Sequence, residues 1–305
     1  MEQITLRGGD YRAVIDVAHG ANCISLRNER YGISILREPP VGQAKDNPFL
    51  YGMPLLFPAN RISSGRFFFE KRLYDFGINE ENTACHLHGL LHDRPFEVAE
   101  ANEGCVKCKL EVDKDSIYPS FPHRFCIRIE YTLDENGLSQ RIEVSNRSSK
   151  SMPCLLGFHT TFNARTANGE PYLVSANVGS AYERDSHYLP TGYLLPYDAI
   201  DEKLQNGTFI ACGERISRHY STCGDGLMTL TDQKRGLRIL YENDKKYAYR
   251  LIFNGKADEF ICLEPQNCLV NAPNAETPLT KRGFDVIGAY KTKIYKSKIY
   301  IQTTE

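Results

Sequence analysis

The stretch FCIRIEYTLDENGLSQRIEVSN, residues 125–146, decides the fold class. In its first arm Phe125, Ile127, Ile129, Tyr131 and Leu133 are apolar while the residues between them are mostly polar. That period of two describes a strand with one buried face. Asn136-Gly137 closes the turn "DENG", and Ile142 and Val144 then share a side of the second arm. Asn-Gly tolerates the positive φ of tight hairpin turns, so the stretch reads as an antiparallel hairpin.

The same pattern returns at Leu237, Ile239 and Tyr241 after Gly236, and at Tyr247, Tyr249, Leu251 and Phe253. Helical periodicity is confined to "PYDAIDEKLQNG", which predicts one short helix ending near Gly207. Many strands with turns between them and no strand–helix alternation predict an all-β chain, a single large antiparallel sandwich or barrel spanning 1–305. No Gly/Ser linker, charge block or repeat divides it. The longest irregular regions, about 37–60 and 266–283, are rich in Pro, Asn and Gly, and long loops in a compact β domain are where binding groups tend to lie.

Composition narrows the partners. With 37 Lys and Arg against 38 Asp and Glu, no net field attracts nucleic acid or an anionic membrane, and a small neutral ligand is expected instead. The N-terminus MEQITLRGGD lacks a basic region followed by an apolar core, and no apolar run approaches eighteen residues. A soluble, unsecreted, cytoplasmic protein is expected. Ten cysteines in 305 residues are then reduced thiols. The one CxxC, Cys105 to Cys108, lies in the alternating run CVKCKLEV, where positions three apart point to opposite faces, and no second pair completes a zinc site.

Four short segments could carry chemistry. In "LLGFHTTFN", residues 155–163, a single imidazole interrupts an apolar run; on a strand Leu155, Gly157, His159 and Thr161 share the less apolar face. His159 is either a core histidine with a hydrogen-bonding partner or a ring facing a cleft, and Gly157 would let a ligand approach closely. In "FPANRISSGRF", Asn60 and Arg61 offer several donors suited to sugar hydroxyls, or form a loop with one surface ion pair. "HLHGLLHD" places His86 and His88 on one face if extended, with His92 and Asp93 nearby, a conceivable metal site, a contact to a polar ligand, or structural histidines. In "FICLEPQN", Glu264 leaves an apolar run just before Pro265, and a carboxylate there either pairs with a cation or faces a cleft.

Taken in order, "GANCISLRN", "NRISSGRF", "LHGLLHD", "MPCLLGFHTTFN" and "FICLEPQN" resemble the aldose 1-epimerase family, the galactose mutarotases, over nearly the whole chain. The resemblance implies one antiparallel β-sandwich of the galactose mutarotase-like supersandwich type. It further implies His159 as general acid, Glu264 as general base, and Asn60, Arg61 and His88 as substrate-binding residues. No metal or other cofactor is implied. The expected reaction interconverts the α and β anomers of a free aldohexose by acid/base ring opening. The sequence departs from the family where many members carry a sugar-binding Asp; here "ISRHYSTCGDG" offers Ser217, Arg218 and His219. Two alternatives stay open: a hexose-6-phosphate epimerase, for which Arg61, Arg66, Lys71 and Arg72 are candidate phosphate ligands, and a sugar-binding or regulatory protein without turnover. At ordinary pKa values of about 4.3 and 6.5 the Glu and His start in usable protonation states without tuning.

Overall fold

The computed structural model describes residues 3–40, 47–255, 258–275 and 284–304. Parts of both long irregular regions, 41–46 and 276–283, lie outside the described residues.

The hairpin forms as read. Phe125–Asp134 and Gly137–Asn146 pair antiparallel over their full length, Ile129 opposite Ile142 and Asp134 opposite Gly137. The turn differs in one detail: Glu135 and Asn136 are its two loop residues, and the positive φ, 104°, falls on Gly137, which packs against the Ile299 carbonyl and Tyr300. A Cβ there would meet that carbonyl oxygen at 2.4 Å, so glycine is required by space as well as by φ.

This hairpin sits within a nine-stranded antiparallel sheet, flanked on one side by Cys105–Val112 and on the other by the long Thr292–Thr303, which carries on to Leu237–Asn243 and Met228–Asp232. A second sheet of eight strands runs in the order Pro190–Leu194, Val178–Arg184, Ser217–Thr222, Tyr249–Phe253, Phe260–Gln266, Gly157–Phe158, Leu55–Leu56, and Thr161–Asn163 also pairs with Phe260–Gln266. A four-stranded N-terminal sheet completes the frame. The helix is Ala199–Asn206, opened by an Asp198 capping box and closed by Gly207 at φ 70°. An antiparallel all-β architecture is therefore what the sequence folds into.

The two large sheets pack face to face. Tyr241 of the nine-stranded sheet and Thr160, between two strands of the eight-stranded one, join their hydroxyls at 2.9 Å, and the Phe162 and Tyr241 rings lie 6.0 Å apart. Leu263, Ile261, Ile252 and Tyr220 point into this shared core. Their neighbours Glu264, Cys262, Leu251 and His219 fall on the other face. That face is covered by loops and the small sheet of Arg61–Ser63 with Cys85–Leu87 rather than by the nine-stranded sheet, so polar side chains there can meet a ligand. All ten cysteines are free, and Cys105 and Cys108 lie on the strand Cys105–Val112 as expected.

Candidate active site

Strand register brings His159 and Glu264 together. The run around His159 breaks into Gly157–Phe158 and Thr161–Asn163, yet both pieces pair with Phe260–Gln266 in one register, Gly157 opposite Gln266 and Thr161 opposite Cys262. His159 therefore stays opposite Glu264 across the break. Its backbone N–H donates to the Pro54 carbonyl at 3.1 Å, while the Leu263 N–H donates to the Thr160 carbonyl, so the main chain is held from both sides. Nε2 lies 3.2 Å from Glu264 Oε1, and Gln266 Nε2 donates to Glu264 Oε2 at 3.2 Å. His159 retains 5% of its surface and Glu264 none.

Burial acts on both groups in the direction of neutrality. It pushes the Glu264 carboxyl up to about 8, against the Gln266 hydrogen bond and the fields of Arg184 and Arg61, and it pushes His159 down to about 4. The expectation of a pair in ordinary protonation states is thus overturned. Both shifts favour a protonated carboxyl beside a neutral imidazole, with Glu264 Oε1 3.2 Å from Nε2 but not hydrogen-bonded to it in this geometry. The number of protons is unchanged: a neutral pair and an ion pair each hold one, and they belong to a coupled unit rather than to either residue. Such a unit can take a proton from one oxygen and deliver one to another.

In front of His159 lies a cavity of about 390 Å³, within the range of small-ligand sites. Its wall includes Phe49, Arg61, His88, His159, Tyr188 and Phe253. Asn60 and Glu264 are not in that wall; both are fully buried behind it. Asn60 adopts φ 58°, its Oδ1 accepts the Arg61 N–H at 3.0 Å, and its Nδ2 is buried with no partner among the described residues. Arg61 is no surface residue: both it and Glu80 are mostly buried, joined through Nε at 2.6 Å and Nη2 at 2.7 Å, with the Tyr188 ring 4.6 Å from the guanidinium carbon. This fork holds Arg61 in one orientation.

The three histidines of "HLHGLLHD" separate. His86 ends on the strand Cys85–Leu87, its Nδ1 2.8 Å from the Gly77 carbonyl and its ring against Phe76 and Tyr118. His88 has a left-handed φ of 61°, so strand alternation fails at that residue and its ring turns into the cavity, 5.2 Å edge-on to His159 and 4.7 Å from Phe49. His92 also packs on Phe49, at 4.5 Å, and Asp93 is exposed; with His86 against Phe76 and Tyr118 and His88 against Phe49 and His159, the shared face expected for His86 and His88 does not form. The His, Cys and carboxylate atoms that do converge within 4.8 Å, among the described residues, are those of His159, Cys262 and Glu264. Burial raises the Cys262 thiol well above its usual range and keeps Glu264 protonated, so this trio is a poor cation trap until two protons leave.

Sequence reasoning missed Glu80, Arg184, Tyr188 and Phe253. Glu80 is one of two adjacent acids in a polar loop, and its partner Arg61 lies nineteen positions away. Arg184 ends the strand Val178–Arg184 just before the Asp185 turn, a place where a surface cation is ordinary. Phe253 could have been found, because it alternates with Leu251 opposite the Glu264 strand. Ser217, in the region noted for its missing carboxylate, lines the cavity mouth, while Arg218 points away to Asp198 and Asp201. Of the proposed phosphate ligands, only Arg61 reaches the cavity; Arg66 is exposed and bound to Asp75 at 2.8 Å.

Known proteins agree with this arrangement of strands. A galactose mutarotase-like protein from Clostridium acetobutylicum superposes with a TM-score of 0.91 at 28% identity, covering 99% of this chain and 95% of that one. A galactose 1-epimerase from Lactobacillus acidophilus shares the fold, with a TM-score of 0.72 at 14% identity and coverage of 99% and 95%. The uncharacterized protein YihR of Escherichia coli is 25% identical over 281 residues, 90% of this chain and 86% of its own length. The aldose 1-epimerase family matches residues 2–283, and the chain belongs to that family.

Proposed function

We propose that the protein interconverts the α and β anomers of an aldohexose, with His159 and Glu264 as its acid/base pair and Arg61, His88 and Asn60 as substrate-binding residues. The observation that supports this reading most is the buried 3.2 Å contact between an imidazole and a carboxyl at the back of a sugar-sized cavity.

The chemistry follows from the groups. One member of the pair takes the proton from the C1 hydroxyl as the C1–O5 bond breaks, and the ring oxygen receives a proton in its place. The product is the open-chain aldehyde. Rotation about C1–C2 presents the other carbonyl face, O5 attacks it, and the two proton transfers run in reverse. Protons are conserved over the cycle, and each acid/base group contributes roughly 10²–10⁴-fold. The sugar has to part the pair, because hydroxyl hydrogen bonds of about 2.7–3.0 Å to each side do not fit a 3.2 Å gap. His159, the member in the wall, is the one placed to move. Arg61, held by Glu80, and His88, kept neutral by burial and by the neighbouring imidazoles, supply fixed polar contacts to the hydroxyls.

Polarimetry or NMR exchange with freshly dissolved α-galactose and α-glucose tests the proposal. Acceleration by the wild type that is lost in Glu264→Gln is the expected result; equal rates with and without enzyme across a panel of aldoses overturn it.

A further inference from the structure

Charge in the cavity does not balance. Arg61 is matched by Glu80 through two hydrogen bonds. His88 and His159 are held neutral by burial, and so is Glu264 behind them. That leaves Arg184 in the wall. Its Nη2 donates to the backbone carbonyl and, at 2.9 Å, to the hydroxyl of Ser217, both uncharged, and Nε and Nη1 have no partner among the described residues. The nearest acids on its own hairpin are engaged elsewhere: Asp185 accepts the His187 and Leu189 N–H groups, and Glu183 accepts the Thr191 hydroxyl. Burial and the Arg61 charge lower the Arg184 guanidinium to about 10, which leaves it cationic at neutral pH.

A guanidinium whose Nε and Nη1 N–H groups are unengaged at a cavity wall attracts an oxyanion, and low-dielectric walls focus its field. The position matters as much as the charge. Ser217, which holds Arg184, is exposed at the mouth, whereas His159 is deep in the pocket. Tyr188 lies over both cations, 4.6 Å from Arg61 and 5.7 Å from Arg184, and its loop is tied down where His187 Nδ1 meets the Thr83 carbonyl at 2.9 Å. A group bound between Arg184 and Ser217 is therefore carried by a part of the sugar nearer the mouth than C1.

We propose that Arg184, together with the Ser217 hydroxyl, binds an anionic substituent of the substrate, so that the preferred aldose carries a carboxylate or phosphate away from its anomeric carbon. This rests on the ring-opening reading of the His159–Glu264 pair.

The experiment compares catalysed anomer exchange, corrected for the spontaneous rate, for glucose, galactose, glucuronate and glucose 6-phosphate. A kcat/KM at least tenfold higher for one of the charged aldoses than for glucose is expected, and which of the two it is separates carboxylate from phosphate. Parity, or preference for the neutral sugars, overturns the anion subsite while leaving the epimerase reading intact. Arg184→Gln lowers the charged-to-neutral ratio at least tenfold, mainly through KM, and Arg184→Lys restores part of it; an unchanged ratio overturns the assignment to Arg184. Should Arg184→Gln not fold, salt substitutes for it. Raising ionic strength from about 0.02 to about 0.5 M then raises KM for the charged aldose alone, and equal salt effects on both sugars count against the proposal. If no aldose is turned over, the epimerase reading fails, and calorimetry decides the subsite: tighter binding of the charged sugar supports it and equal binding overturns it.

Discussion

The two large sheets of this protein use the same backbone pattern to opposite ends. In the nine-stranded sheet, the hairpin at 125–146 alternates buried and wetter residues along ten-residue strands with an unbroken register. In the eight-stranded sheet, Phe260–Gln266 is buried at every position, and the strand beside it breaks at His159 and Thr160. One sheet has a face for water; the other buries polar groups on the face that water would have had. Polar atoms with no hydrogen-bond partner among the described residues accumulate there: His159 Nδ1, Glu264 Oε1, Gln266 Oε1, His88 Nδ1 and Asn60 Nδ2. An orphaned buried polar group costs about 1–3 kcal/mol, a cost that a ligand with hydroxyls can relieve. One sheet is thus a scaffold, and the other concentrates unsatisfied polar groups.

The widest separation between the two regions is expected from Glu264→Gln. Removing the transferable proton should lower kcat by roughly 10²–10⁴-fold. Because the wild-type carboxyl is already neutral in the fold, the amide should cost little stability, as a denaturant titration would report. A large loss of stability in this variant would break the contrast. Ile142→Ala is its counterpart in the scaffold. Ile142 is fully buried between Ile129 and Tyr295, and deleting its side chain should cost about 2–5 kcal/mol, with kcat per folded molecule unchanged. A fall in kcat without a fall in stability would show that the two sheets are not separable.

The pH dependence sharpens the same contrast. The pair holds one proton between about pH 4 and about 8, two below and none above, so kcat/KM should fall on both sides of that window. Stability follows with opposite signs. The raised Glu264 value means the folded chain keeps a proton that the unfolded chain loses above its usual 4.5, so this contribution falls as pH rises toward about 8. The lowered His159 value means the unfolded chain binds a proton first as pH falls below 6.5, so that contribution falls toward about 4. Between pH 5 and 8 the Tm of Glu264→Gln should therefore gain on wild type, while the deficit of Ile142→Ala stays level. A constant gap for Glu264→Gln would mean that the carboxyl is not held neutral.

The scaffold was the legible part of the sequence, since alternation is readable wherever one strand face is wet. Residues 125–146, 237–243 and the single helix could be placed from apolar spacing and turn residues alone. Around the site that signal fails for physical reasons. His88 sits at a left-handed φ, which reverses the face predicted by counting. Glu80 and Arg184 act through partners far away in the chain, and nothing local marks them. The protonation of Glu264 depends on complete burial, a property of the assembled sheets rather than of "FICLEPQN". The resemblance to a family supplied His159, Glu264 and the binding set, and register then placed two of them in contact.

Gly157 gives the smallest expected effect and a direct probe of that contact. In sequence its missing side chain suggests room for a ligand; in the fold it makes room for Ala59 and the neighbouring strand. A Cβ would stand 3.0 Å from Ala59 Cβ and from Gln266 Cγ, and 3.2 Å from the Pro265 carbonyl oxygen. Its φ is not in the left-handed region, so Gly157→Ala tests space alone. Gln266 is the flexible neighbour, and moving it loosens the hydrogen bond it gives to Glu264 Oε2. We expect a stability loss of about 1 kcal/mol, typical of mild overpacking, together with an upward shift of the basic limb of the pH–rate profile as the carboxylate loses a donor. Ala59→Gly beside Gly157→Ala should recover stability without returning the limb, because it relieves the clash with Ala59 but not the one with Gln266. If the limb stays in place in Gly157→Ala, Gln266 does not tune the carboxyl, and the proton affinity of the pair is set by burial alone.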